Sequence, residues 1–221
     1  MIASSANREI PSWRRTGNGI AAFILFALLM TELPAYGLFQ KQSNVASAGI
    51  SKAAAESCDA KVKKMEARAG DHGRGRKLET RLSETELNSY LAICLSPNYH
   101  PCLRSILVKL DEGRLQAVAS IDFDRLQLNS TQLINGLLKK MLTGVHKLTI
   151  KGGLISNPGT ASFRVDEAQF DSITLPNLLV SEIISAVGRK QNPPFDPMQP
   201  AALPYLIQKV DVHSGFILVE Q

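Results

Sequence analysis

The side chains best suited to bind a metal or to form a covalent bond lie at Cys94 and Cys102, which flank the stretch LSPNYHP. If the chain is exported to an oxidising compartment, these thiols could form a disulfide that ties a helix end to the next strand. The alternative is two free thiols, one of them buried on the helix face. With His100 they have the ligand types for zinc, but the spacing matches no common zinc pattern and a fourth ligand is missing. We therefore expect neither a metal nor a cofactor.

Two carboxylates, Asp122 and Asp124, flank Phe123 and would lie on the same face of a strand. Such a pair is typical of general acid–base catalysis, although the solvated end of a strand gives the same pattern. His146 has the strand parity of Leu148, which indicates a position at the edge of the core. No nucleophile or metalloprotease motif such as G-x-S-x-G or H-E-x-x-H occurs, so we expect a non-enzymatic protein. A hydrolase site assembled from distant residues is an alternative.

The positive charge of the chain is confined to its N-terminal part. The net charge is +5, but residues 1–77 hold 12 Lys and Arg against 6 Asp and Glu, whereas residues 78–221 hold 13 against 14. A basic tail of this kind suits an anionic membrane surface. Nucleic-acid binding requires a basic face on the folded domain, often with aromatic side chains, so we expect no nucleic-acid partner.

Residues 1–37 have the three parts of an export signal. Arg14 and Arg15 provide positive charge, residues 20–30 form an unbroken apolar run, and residues 35–37 (Ala-Tyr-Gly) offer small side chains for a cleavage site. The run is shorter than the roughly 20 residues of a transmembrane helix. We predict a cleaved export signal, with an uncleaved signal anchor as the alternative. The protein would then be periplasmic, or anchored to the cytoplasmic membrane and facing outward.

Residues 38–77 are predicted to form a spacer ahead of the folded domain. Residues 50–70 are rich in Ala, Lys and Glu and predict a helix with a thin apolar stripe. Residues 70–77, GDHGRGRK, predict a flexible linker; a phosphate-binding loop is not indicated, because no strand precedes it and no Gly-Lys-Ser/Thr follows. A single α+β domain is expected over residues 78–221.

The stretch LSETELNSYL, residues 82–91, predicts a helix that begins with a capping box. The side chains of Ser83 and Glu86 would each satisfy a free backbone N–H, and Leu82 and Leu87 would form a hydrophobic staple. The residues at helical spacing that follow are apolar: Leu87, Tyr90, Leu91, Cys94 and Leu95. We interpret the box as compensation for the linker upstream, because nothing else would hold the start of this helix.

Alternating apolar residues and turn sequences predict three β-hairpins. They cover residues 105–123, 145–170 and 205–220, with turns at Asp-Glu-Gly, Asn-Pro-Gly and Ser-Gly. Asp166 and Glu167 interrupt the alternation of the second hairpin and predict a bulge or turn. The alternation is typical of an antiparallel sheet with one apolar face and one solvated face.

A predicted helix precedes each hairpin. The second helix is expected over residues 130–142, and the third over residues 177–187 with its end at Gly188. The proposed caps, 47 residues apart in both cases, are Ser83, Ser130 and Asn177. This spacing predicts three helix–hairpin units, although coincidence would also explain it. Either way the predicted class is α+β, with an antiparallel sheet of about six strands packed on amphipathic helices.

Residues 82–91, which open an α+β domain behind an export signal, resemble bacterial envelope proteins of the tubular lipid-binding (TULIP-like) superfamily. Several of these begin their domain with a similar helix, (L/I)(S/T)E-x-E-(L/I)-N-x-x-L, whereas residues 92–221 resemble them only in the order of elements. The resemblance implies a long curved sheet around a helix that holds an acyl chain or a similar apolar ligand. It implies a site lined by Leu87, Tyr90, Leu91, Ile121, Phe123, Leu148 and Ile150, each of which could instead be plain core.

These features together predict an exported, non-enzymatic envelope protein that binds or carries a lipid-like apolar ligand. A cleft of apolar side chains with few polar anchors would suffice for such a ligand. The alternative from another class is a membrane-tethered scaffolding module, which would dock a protein partner through a sheet edge or a helix face.

Overall fold

A computed structural model describes residues 49–221 except residues 71–76, 127–142, 172, 192, 193 and 195. Three predictions lie wholly or mostly outside the described residues: the export signal of residues 1–37, the flexible linker of residues 70–77, and the helix of residues 130–142 with its cap at Ser130. The described elements pack around one hydrophobic core.

Helix α1, Lys52–Gly70, forms where Ala, Lys and Glu dominate the sequence, as predicted. Its apolar residues follow the helical period and therefore lie on one side. Four residues on that side are buried: Ala55, Cys58, Val62 and Met65. The last three belong to the same core as the sheet. The helix therefore packs on the core of the domain.

Strand β1, Glu79–Ser83, leads directly into helix α2, Glu84–Tyr90. The predicted capping box is confirmed. The Ser83 hydroxyl accepts from the Glu86 N–H at 3.2 Å, and the Glu86 carboxylate accepts from the Ser83 N–H at 2.9 Å. The two residues predicted to form the staple are buried in the core, Leu82 and Leu87.

The interpretation that nothing upstream holds the start of α2 is wrong. Strand β1 pairs with the last strand of the chain, and helix α1 donates to the capping box itself. Lys61 Nζ lies 2.6 and 2.8 Å from the two carboxylate oxygens of Glu86, and Ser57 Oγ donates to one of them at 2.6 Å. The residue that caps α2 therefore also anchors α1.

After α2 the chain continues through a π-helical turn, Leu91–Leu95, and a 3₁₀ turn, Ser96–Asn98. The predicted apolar face is confirmed along this stretch. Leu87, Tyr90 and Leu91 are buried, and Cys94 and Leu95 are partly buried against the core.

Six strands form the larger antiparallel sheet: β2 Leu103–Asp111, β3 Arg114–Asp122, β4 Val145–Asn157, β5 Thr160–Phe170, β6 Ile173–Thr174 and β7 Ala201–Ala202. Their order is β2–β3–β4–β5–β6, with β7 paired to the first residues of β5. A short helix, α3, Phe123–Leu126, follows β3. The hairpins predicted for residues 105–123 and 145–170 are confirmed.

The bulge predicted at Asp166 and Glu167 is confirmed, because the pairing of β4 with β5 shifts between Lys151 and Gly152. A Cβ atom on Gly152 would lie 2.1 Å from the carbonyl oxygen of Arg164. The two strands can approach each other this closely only because position 152 has no side chain.

Helix α4, Asn177–Lys190, packs against β5. The prediction that this helix ends at Gly188 is wrong, because Gly188 is buried inside a helix that continues to Lys190. Glycine commonly follows a helix end, but tertiary packing can outweigh its low helix propensity. The residue that caps the helix is Pro176 rather than the predicted Asn177.

The third predicted hairpin is confirmed as β8, Lys209–His213, and β9, Phe216–Glu220. It does not join the larger sheet but pairs with β1 in a three-stranded sheet of order β1–β9–β8. The three predicted helix–hairpin units therefore differ in how their hairpins pair. The predicted α+β class with a six-stranded antiparallel sheet is confirmed.

One face of the larger sheet, here called the inner face, carries the core. Its side chains alternate with more exposed ones along β2, β3 and β4. Helix α2 packs on β2, helix α4 on β5, and β8 contacts β2, β3 and β4. The sheet thus presents a continuous apolar surface to helices and to the smaller sheet.

Candidate functional site

The seven residues predicted to line an apolar site come from three parts of the chain and meet in one core. Those parts are α2 with its π-helical turn, the junction of β3 with α3, and β4. Each of the seven is at most 4% exposed: Leu87, Tyr90, Leu91, Ile121, Phe123, Leu148 and Ile150. They form an apolar layer between the inner face and the helices.

The inner face has a low strip along β3, which we call the alanine strip, formed by Ala117 and Ala119. Ala119 pairs with Ile106 of β2 and with Leu148 of β4. Ala117 likewise pairs with a valine on β2 and an isoleucine on β4. Because alanine extends less far from the sheet than Ile, Leu or Val, taller side chains border the strip on both sides.

Few polar side chains enter the apolar layer. Burial raises the pKa of the Tyr90 hydroxyl, and Ser89 Oγ accepts from the Ser51 N–H at 3.1 Å. Within the described ranges, the buried polar and charged residues are Ser89, Asp122, Ser185 and Gln191. Asp122 is the charged member of that group, and it lies directly between two of the predicted lining residues in the chain.

Charged side chains gather at the edge where β3 ends, and we call this group the polar end: Arg104, Asp122, Arg125, His146 and Asp171. Asp122 Oδ2 accepts from Arg104 Nη2 at 2.6 Å and lies 3.3 Å from Arg125 Nε. Burial acts to raise the pKa of Asp122, but Arg104 and Arg125 hold it below its ordinary value. Asp122 is therefore a carboxylate shared by two guanidinium groups.

The predicted carboxylate pair on one strand face is not observed. Asp122 is the last residue of β3, whereas Asp124 lies in helix α3. The alternation that placed both on one face ends with the strand, because a helix changes the direction of successive side chains.

His146 lies at the edge of the core, as its strand parity predicted, with its ring centroid 4.6 Å from that of Phe170. Its Nδ1 lies 2.8 Å from Asp171 Oδ2, and its Nε2 lies 2.7 Å from the Thr143 carbonyl oxygen. Both neighbours are acceptors, so both ring nitrogens must donate, which requires the protonated imidazolium. In this arrangement neither nitrogen is available to take a proton from a substrate.

The pKa values of His146 and Asp171 follow from these contacts. Partial burial acts to lower the pKa of His146, but its bonds to Asp171 and to the Thr143 carbonyl raise it above the ordinary value. The Lys147 N–H and the His146 ring hold the pKa of Asp171 below its ordinary value.

The backbone of Asp171 is also unusual. Its φ is 52°, which is uncommon for a residue other than glycine.

The charged neighbours of His100 are cationic, whereas those of His146 are acidic. Burial, together with Lys190 and Arg125, lowers the pKa of His100. Its Nδ1 accepts from the Cys102 N–H at 3.2 Å, as expected of a neutral imidazole. His146, in contrast, has Asp171 and Asp124 as its charged neighbours. The polar end thus has a cationic side, near Arg125, and an acidic side, near His146.

The disulfide predicted between Cys94 and Cys102 is absent, and Cys58, Cys94 and Cys102 are free thiols. The two thiols have different surroundings. The charged neighbours of Cys94, which is partly buried, belong to helix α1, whereas those of Cys102 are Lys190 and Asp122. Burial raises the pKa of Cys58 to about 12 and that of Cys102 to about 11. The eight-residue separation of Cys94 and Cys102 in the sequence did not indicate that these two thiols face different parts of the structure.

Reasoning from the sequence did not identify the arginine pair at Asp122 or the bond from His146 to Asp171. Arg104 lies at an irregularity in the pairing of β2 with β3, between Leu103 and Ser105. The two consecutive polar residues Arg104 and Ser105 break the alternation between Leu103 and Ile106, and this break is the local signal that could have indicated the irregularity. The partners of Arg104 and His146 are 18 and 25 residues away in the chain, beyond the reach of a local pattern.

Comparison with protein-family models gives no match, and no curated protein matches this sequence. Among the residues that the structure describes, no three or more His, Cys, Asp or Glu side chains come together to hold a metal ion. The helices within the described ranges are all too short or too polar to cross a membrane.

Proposed function

We propose that this chain is an exported envelope protein that binds or carries a lipid-like apolar ligand and catalyses no reaction. The observation that supports the proposal is that the seven residues predicted to line the site are all buried in one core against the inner face. Helix α2, the start of α3 and the middle strands meet there in one apolar layer. The export part of the proposal rests on the basic and apolar pattern of residues 14–30.

We place the proposed ligand over the alanine strip, where it would replace the protein side chains that now leave Ala117 and Ala119 only 5% and 1% exposed. An acyl chain is long and narrow, and the strip is a low band bordered by Ile106 and Val108 on one side and Leu148 and Ile150 on the other. A ligand in this position would be held by apolar contact alone, at roughly 25 cal/mol for each Å² of apolar surface removed from water. Such a site would discriminate by length and shape of the chain.

The first test is native mass spectrometry of the full chain, recovered from a bacterial envelope without detergent and then extracted with organic solvent. We expect a stoichiometric adduct of lipid-like mass that the solvent releases. A mass equal to that of the polypeptide alone, in every preparation, would contradict the proposal.

A pair of variants locates the ligand. Ala119→Leu fills the alanine strip, whereas Ser120→Leu adds similar volume on the opposite, partly exposed face. We expect the first variant to keep its circular dichroism spectrum and lose the adduct, and the second to keep both. If Ala119→Leu retains the adduct, the ligand does not lie on the strip; if it unfolds, the strip is already filled by protein.

A second candidate, a module that docks a protein partner, is favoured by exposed apolar side chains at one edge of the fold. Ile173 is 51% exposed and Leu178 is 69% exposed, on either side of the turn between β6 and α4. Cross-linking in the envelope would test this candidate. A partner captured by the native chain and by Ile155→Ser, but lost in Leu178→Ser, would support docking at this edge.

A further inference from the structure

We infer that Arg104 and Arg125 form an oxyanion-binding site at the polar end, and that the apolar ligand is therefore an anionic amphiphile whose headgroup binds these two guanidinium groups. The inference rests on the proposed function and names the chemical class of its ligand. The headgroup chemistry is that of a carboxylate or a phosphate, which both arginines can bind through paired N–H donors.

Arg104 reaches this position through an irregularity in the sheet. The pairing of β2 with β3 runs from Leu103 with Ile121 to Ser105 with Ser120, so Arg104 has no regular cross-strand partner. Bulges of this kind redirect a side chain and are common beside functional sites. Here the redirected guanidinium donates to Asp122 at 2.6 Å.

The charges at this point do not balance. Asp122 offers one carboxylate, and the same oxygen accepts from Arg104 and lies 3.3 Å from Arg125. One arginine would be enough to neutralise a buried Asp122, so the second is in excess. The side chains of Arg104 and Arg125 are 43% and 54% exposed, which leaves N–H donors of both facing solvent.

A second observation supports an excess of positive charge. His100 lies beside Cys102, whose carbonyl accepts from the Asp122 N–H at 2.7 Å. The pKa of His100 is lowered by burial and by the positive charges of Lys190 and Arg125, although Asp122 is close by. Burial is the larger cause and disfavours any charge, whereas the contribution of Lys190 and Arg125 disfavours a cation and favours an anion.

The position of the cations fits an amphiphile. Asp122 lies between Ile121 and Phe123, two of the buried lining residues, so the arginines mark the boundary of the apolar layer. Val145 pairs with Asp122 across the strands and is 54% exposed. Asp122 and Val145 have the strand parity of Val118 and face away from the alanine strip. A ligand whose headgroup binds the arginines would therefore reach the strip around the end of β3, past Phe123.

Arg125→Gln is the decisive variant, because Arg104 still pairs with Asp122 after the change and the fold should persist. The matched control is Arg189→Gln, which removes the same charge from an exposed arginine that pairs with Glu182. The binding of three probes to the full chain would be measured by calorimetry: oleate, oleyl alcohol and inorganic phosphate, with both lipids kept below the concentration at which they aggregate.

We expect oleate to bind more tightly than oleyl alcohol, and Arg125→Gln to weaken oleate about tenfold, the loss typical of one charge-assisted hydrogen bond. Oleyl alcohol should be unaffected by that variant, and Arg189→Gln should change neither. Raising the salt concentration should weaken oleate selectively.

The other outcomes separate this inference from the proposed function. Equal affinity for oleate and oleyl alcohol, with no effect of Arg125→Gln, would overturn the headgroup site while leaving apolar binding intact. Binding of phosphate but of neither lipid would overturn both the amphiphile and the proposed function and indicate a site for free anions. Binding of none of the three would overturn both.

Discussion

Lys61 of helix α1 donates to both carboxylate oxygens of Glu86, at 2.6 and 2.8 Å, and Glu86 is also the residue that completes the capping box of α2. Ser57 and Ser83 donate to the same carboxylate. One side chain therefore fixes the start of α2 and the docking of α1 together. Although burial acts to raise the pKa of Glu86, these bonds lower it to about 2.

The pKa of Glu86 predicts a stability loss in acid. Its ordinary value is 4.5 and its folded value about 2, so the stabilisation is complete above pH 4.5 and is lost as the pH falls through 2. We expect Glu86→Gln to cost about 1–2 kcal/mol at pH 7, allowing for screening at the partly exposed Lys61. Urea unfolding at pH 7 and pH 3 should show a smaller pH dependence for the variant. Glu56→Gln, on the exposed side of α1, is the control; equal pH dependence in all three proteins would contradict the assignment.

Helix α1 should contribute strongly to the stability of the whole domain. Met65 is fully buried in the core, so Met65→Ala should lower the free energy of unfolding by about 2–5 kcal/mol. Lys64→Ala, one residue away and exposed, should change it by less than about 0.5 kcal/mol. Equal effects of the two variants in chemical denaturation would mean that α1 does not pack as described.

Gly152 and Gly153 provide a matched test of the bulge. A Cβ atom at Gly152 would meet backbone at 2.1 Å, whereas at Gly153 the nearest atoms lie at ordinary contact distances of 3.5 and 3.6 Å. We expect Gly152→Ala to destabilise by about 1–3 kcal/mol or more through overpacking, and Gly153→Ala to be tolerated. Thermal unfolding of both variants measures the difference. Similar melting temperatures would show that β5 does not approach β4 at Gly152.

His146 should titrate above its ordinary pKa of 6.5. Because the folded pKa is raised, the stabilisation by its bonds is complete below pH 6.5 and is lost as the pH rises through the folded value. Nitrogen NMR of the imidazole, assigned with His146→Gln, should detect protons on both ring nitrogens at pH 6. Asp171→Asn should move the pKa down. A His146 pKa at or below 6.5 in the native chain would contradict the pairing.

The three cysteines should differ in reactivity. In the native chain we expect maleimide to label Cys94, which is partly exposed, faster than the buried Cys58 and Cys102, whose thiolates are suppressed by their raised pKa values. All three should be labelled in denaturant without a reductant. Labelling of Cys58 alone under those conditions would mean that Cys94 and Cys102 form the disulfide predicted from the sequence, and would contradict the three free thiols.

The sequence predicted the features that depend on neighbouring residues. The capping box at Ser83, the hairpin turns and the bulge near Asp166 were all predicted correctly, because each arises from hydrogen bonds or alternation over a few residues. The error at Gly188 has a related cause. Glycine is a local signal for a helix end, but the burial of the last turn of α4 is decided by distant packing.

By itself, the sequence determined the class of the fold and which faces of its elements are apolar, since periodicity alone decides which side chains share a face. Only the tertiary structure decided that helix α1 packs on the core and that the third hairpin pairs with β1 rather than with the larger sheet. It also brought Arg104 and Arg125 to Asp122, and His146 to Asp171. These contacts join residues that are distant in the chain or lie on different elements, so their geometry exists only once the whole chain has packed.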